Sequence, residues 1–79
     1  MASGIEITGK GNDISIHFET APSDAHIRIT DALGQIVVNE VFNKGTLFTT
    51  SLDKIASSYV MITVQMDDKS ISKKYFIRH

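Results

Sequence analysis

Seventy-nine residues without cysteine, 42% of them hydrophobic and with a net charge of −1, set the frame. A chain this short reads as one domain over residues 1–79; it buries only about 60% of its unfolded surface and has no disulfide staple, so patterned strands must supply the core. Near-neutral charge argues against a nucleic-acid partner, the apolar fraction against a disordered tail, and no run approaches the roughly 20 apolar residues of an integral membrane helix.

Met1-Ala2-Ser3-Gly4 leads straight into a strand pattern with no visible signal peptide. A cytosolic protein begins this way, and so does the mature end of a secreted one. Ile5 and Ile7 alternate with Glu6 and Thr8, which predicts a first strand. Gly9-Lys10-Gly11-Asn12-Asp13 reads as a turn cluster, too short for a phosphate loop. Ile14, Ile16 and Phe18 alternate with Ser15, His17 and Glu19, giving a strand with one buried and one wet face. Ala21-Pro22-Ser23-Asp24 ends it, because proline removes a ladder donor. Ile27 and Ile29 alternate with His26, Arg28 and Thr30 in a third strand.

Asp31-Ala32-Leu33-Gly34 is the clearest turn. A carboxylate at its first position can accept a backbone N–H two residues on, and Gly34 suits the left-handed position of a type I turn with a G1 bulge. Gln35 to Phe42 is a longer apolar strand, closed by the turn Asn43-Lys44-Gly45. Thr46 to Leu52 reads as strand, and Ser51 to Ile55 as one helical turn capped by Ser51 with Leu52 and Ile55 facing inward. Ser58 to Met66 is the most apolar run and predicts a central strand covered on both faces. Asp67-Asp68-Lys69 reads as a hairpin turn, and Ile71, Lys73, Tyr75 and Ile77 alternate with Ser72, Lys74, Phe76 and Arg78 in a last strand. Seven strands at intervals of about 8–12 residues predict an all-β fold: a seven-stranded antiparallel, immunoglobulin-like Greek-key sandwich.

Candidate chemistry is thin. The three histidines, His17, His26 and His79, lack metal-ligand spacing; His17 and His26 could meet across neighbouring strands, but two imidazoles make a poor zinc site. No metal, no cofactor and no catalytic residue is expected. There is no Gly-x-Ser-x-Gly elbow, no calcium loop, and no carboxylate pair at a known distance. Tyr59, Tyr75, Phe42, Phe48 and Phe76 are needed mostly for the core, with an exposed subset left as a stacking platform. Lys69, Lys73, Lys74 and Arg78 form the one basic bias and read as charges that keep an edge soluble. A flat strand at either end could pair between chains, which allows a homodimer.

Three segments carry a resemblance: HIRITDALGQIVVNEVF (26–42), TTSLDKIASSYVMITVQ (49–65) and SISKKYFIRH (70–79). From Ile14 onward the chain resembles the C-terminal sorting domains of type IX secretion cargo. That family shows a strand, an Asp-x-x-Gly turn and a second strand, then a tyrosine-led apolar strand and a lysine-containing last strand. Asp31 and Gly34 fill the turn, Ser51 and Ile55 fit the middle segment, Tyr59 opens the apolar strand, and Lys73 and Lys74 lie in the last one. Ser57-Ser58 stands where a glycine usually precedes the tyrosine, and no Asn-Pro leads the first matched strand.

The resemblance implies a protein that is not an enzyme, secreted or held at the cell surface by way of the periplasm and outer membrane. Its partner would be the secretion machinery or a parent protein. Recognition would fall on the strand from Ser70 to His79, with backbone hydrogen bonds giving affinity and Lys73, Lys74 and Ile77 as readout positions. The chain is also similar to small secreted immunoglobulin-like proteins of unassigned function from gut bacteria. That likeness implies the alternative of an adhesion or carbohydrate-binding module.

Overall fold

Alternating apolar residues become strands throughout the chain. In a computed structural model, which describes residues 4–52, 55, 58–66 and 69–77, the strands are β1 (Ile5–Lys10), β2 (Asp13–Phe18), β3 (Ala25–Asp31), β4 (Ile36–Phe42), β5 (Leu47–Ser51), β6 (Tyr59–Met66) and β7 (Lys69–Phe76). They form two antiparallel sheets ordered β1-β2-β5 and β4-β3-β6-β7. The pairings β2 with β5 and β3 with β6 join strands distant in sequence, as the expected Greek key requires.

Period-2 alternation aims one row of each strand inward. Ile14, Ile16 and Phe18 of β2 face Ile27 and Ile29 of β3 and Val60, Ile62 and Val64 of β6 across the sandwich, all essentially sealed from solvent. Each such side chain contributes roughly 1.5–3 kcal/mol of transfer free energy. The β-branched stems of the isoleucines and valines among them also suit the pleat.

The hairpin from β3 to β4 forms as its residues predict. The Gly34 N–H donates to the Asp31 carbonyl at 3.0 Å, and the Asp31 N–H donates to the Gln35 carbonyl at 2.9 Å. The Asp31 Oδ1 accepts the N–H groups of Leu33 and Gln35, both at 2.9 Å. Gly34 holds φ at +85°, which places it in the left-handed region that closes such a turn. One turn of the ladder later, Ile29 pairs with Val38 and Thr30 with Ile36, so Val37 is a bulge residue.

Several expectations need correction. Gly9 and Lys10 belong to β1 and Asp13 to β2; the first turn is Gly11-Asn12 alone, because Lys10 already pairs with Asp13. Ser51 is the last residue of β5, paired with Asp13, and the Leu52 N–H continues toward the Asn12 carbonyl at 2.7 Å. Residues 53 and 54 of the predicted helical turn lie outside the described residues. Leu52 is nonetheless buried and Ile55 packs against the core. β6 is central in its sheet but covered on one face: Val60, Ile62 and Val64 point inward, while Tyr59, Met61 and Thr63 are half-exposed and Gln65 is exposed. The proposed Asp67-Asp68 turn also lies outside the described residues, although Met66 pairs with Lys69 on either side of it.

Candidate functional site: the last strand and the face beside it

β7 is an edge strand, so half of its backbone groups have no ladder partner within the sheet. The phase is fixed by the Ile77 N–H, which donates to the Ser58 carbonyl at 2.9 Å. In an antiparallel pair, residues alternate between facing the partner strand and facing away. Tyr75, Lys73 and Ile71 therefore turn their N–H and C=O groups toward β6. Ser70, Ser72, Lys74 and Phe76 turn theirs outward from the sheet edge. The same even-numbered residues project their side chains onto the outer face of the four-stranded sheet, by the alternation of the pleat.

The odd-numbered side chains point inward and fasten β7 to β1, the neighbouring edge of the other sheet. The Lys73 Nζ donates to the Ile7 carbonyl at 2.8 Å. The Tyr75 hydroxyl donates to the Gly11 carbonyl at 2.8 Å, and its ring lies where a Cβ on Gly9 would stand. Ile77 is buried in the core. The three readout residues expected from the sequence are thus placed differently: Lys73 inward and tied to β1, Ile77 in the core, Lys74 outward.

Lys74 lies beside two rings. Its Nζ is 4.6 Å from the Tyr59 ring centroid and 5.8 Å from that of Phe76. The rings are 6.1 Å apart and tilted by 58°. An exposed contact of this kind contributes about 0.5–1 kcal/mol and holds the cation in place. Phe76 remains 62% exposed, unusual for a residue that could have been placed in the core.

The register places neighbours in rows across this face. Lys74 continues through Met61 and Thr30 to Ile36, and Ser72 through Thr63 and Arg28 to Asn39. The Thr63 and Ser72 hydroxyls are hydrogen-bonded at 3.2 Å. Ser70, Gln65, His26 and Val41 make the next row. Among the described residues these rows carry the cations Arg28 and Lys74 and no carboxylate. The outer face of the three-stranded sheet is different, with Glu6, Asp13, Lys10 and His17 among serines and threonines.

His17 and His26 lie on different sheets, both exposed, and do not meet across neighbouring strands. Among the described residues no group of three or more His, Asp or Glu is placed to hold a metal. Sequence reasoning missed the two fastenings of β7 to β1. The available signal was Gly9, since a glycine inside an alternating strand marks the close approach of another group.

Two antiparallel sheets with this strand order define an immunoglobulin-like β-sandwich. A crystal structure of a DUF3244 family protein from Bacteroides vulgatus ATCC 8482, described as having that fold, matches with a TM-score of 0.84 over 95% of this chain and 84% of that chain, at 16% identity. The likeness concerns the fold. A family model described as the secretion system C-terminal sorting domain matches residues 10–78, and the chain belongs to that family. It is a C-terminal sorting signal of type IX secretion, exported across the outer membrane to a secreted or cell-surface location. No curated protein matches the chain.

Proposed function

We propose that residues 1–79 act as one non-catalytic address, read by the secretion machinery through the free edge of β7 and the outer face beside it. The phase of β7 carries this reading: the residues with outward backbone groups also present their side chains on the open face. A partner strand added there would gain affinity from the backbone and specificity from alternate side chains. Of the readout residues expected from the sequence, Lys74 makes the direct contact. Lys73 and Ile77 are positioning residues that hold the strand against β1 and the core. The parent protein enters as cargo attached to the module.

The test is a reporter carrying a signal peptide and the whole chain, expressed in a type IX-competent host. Export is expected, and it should fall when Ser72→Pro removes an outward N–H without touching the β6 ladder. A folded Ser72→Pro variant exported like the unmodified fusion would overturn recognition through the edge.

A carbohydrate-binding role would have to use the Tyr59–Phe76 pair. Their tilt of 58° offers no common plane for a sugar ring. A glycan titration is expected to show no saturable binding.

A further inference from the structure

We propose that the β7 edge takes an extended acidic segment of a partner protein, with a carboxylate opposite Lys74 and an apolar side chain opposite Phe76, two residues apart on one face. The proposal rests on the recognition reading above and specifies the partner's chemistry.

Three observations converge on it. The outward N–H and C=O groups of Ser70, Ser72, Lys74 and Phe76 offer alternating donors and acceptors at strand spacing, about 6.8 Å between repeats. Another backbone in extended conformation satisfies both kinds at that spacing along its whole length. A phosphate or sulfate headgroup, an acceptor only, would leave the carbonyls without donors, and sugar hydroxyls, which donate and accept, do not repeat at strand spacing. Next, the three register rows that run from Ser70, Ser72 and Lys74 across the sheet hold Arg28 and Lys74 and no carboxylate, so the surface beside the edge favours negative charge. A second copy of this chain would bring the same cations onto the extended face without an anion to offset them, which disfavours edge pairing into a homodimer. Last, Phe76 is 62% exposed and neighbours the half-exposed Tyr59 ring. An apolar residue of the added strand would cover it. Directly opposed cross-strand pairs are the contacts that set strand specificity.

Lys74 is well suited to this role because its stem and ammonium are already ordered over the rings. Less side-chain freedom is lost when the carboxylate arrives.

The experiment uses the same export fusion with a photo-cross-linking amino acid at Ser72, and a control with it at Thr49 on the other sheet. Illumination during export is expected to give a product at Ser72 and none at Thr49. The joined peptide should be a partner segment with Asp or Glu two residues from an apolar residue. Lys74→Glu should lower the yield at least about tenfold, and Lys74→Arg should retain it. Melting curves of both variants verify that the exposed substitutions leave the fold intact.

No product at Ser72, a product with a lipid, a glycan or a second copy of this chain, or a segment without a carboxylate would overturn the proposal. So would an unchanged yield in a folded Lys74→Glu variant. Retention of the unmodified fusion inside the cell would instead overturn the sorting reading beneath it, and export unaffected by Lys74→Glu would overturn the acidic partner alone.

Discussion

The two open sides of the sandwich are closed by different chemistry. Where β4 and β5 meet, three rings bridge the sheets: Phe18 stacks on Phe42 at 5.6 Å, and Phe42 meets Phe48 edge-on at 5.5 Å. Where β1 and β7 meet, Lys73 and Tyr75 reach from one sheet to backbone carbonyls of the other. The aromatic side is non-directional and strong, because each ring carries a large buried area. The other side is directional and weaker per contact, and it holds β7 without using its outward ladder groups. A strand held in this way can be both ordered and available to a partner.

The largest expected effect comes from cutting the aromatic side. Phe18→Ala should destabilise the protein by about 3–5 kcal/mol, a large share of the roughly 5–15 kcal/mol typical of small proteins. Urea unfolding would register it as a lower midpoint. A loss below about 1 kcal/mol would show that the rings do not carry that side.

On the other side, Gly9→Ala should cost about 1–3 kcal/mol by driving the Tyr75 ring from its place. The overlap is with a side chain, so shortening that side chain should relieve it. The double variant Gly9→Ala, Tyr75→Ser should therefore be less impaired than the sum of its two single changes. Strict additivity would mean that the ring and the glycine are not coupled.

Gly34→Ala touches neither side and calibrates both. Its added Cβ meets open space, so the expected loss of about 1 kcal/mol is backbone strain at φ +85° alone.

That turn also shows what could be read from the sequence. Asp31 and Gly34 act within five residues of chain, and local geometry fixed their roles in advance. The alternation of Ile14, Ile16 and Phe18 was legible for the same reason. The family was legible because its segments are colinear with the chain. The fastenings of β7 were not: Lys73 and Ile7, or Tyr75 and Gly11, are more than sixty residues apart, and nothing in either stretch names the other. The apolar composition of Tyr59 and Met61 suggests a β6 covered on both faces, yet both lie half-exposed on the open face. Lys74 over its rings was hidden likewise, since Tyr59 and Phe76 become neighbours only through the register of β6 with β7. A hydrophobic residue on an open face looks like core until pairing is known.

The smallest effect is the sharpest test of the comparison. Tyr75→Phe keeps the ring over Gly9 and removes only the hydroxyl that donates to the Gly11 carbonyl. Both groups are reachable by water, so the global loss should be roughly 0.5 kcal/mol, at the low end for a hydrogen bond. The local consequence should be more visible than the global one. Amide exchange is expected to quicken in β1 and β7, where one of two fastenings is gone, while β4 and β5 keep their protection. Equal acceleration across both sides would mean that the sandwich opens as one unit. In that case the free edge of β7 would owe nothing to the way the strand is held.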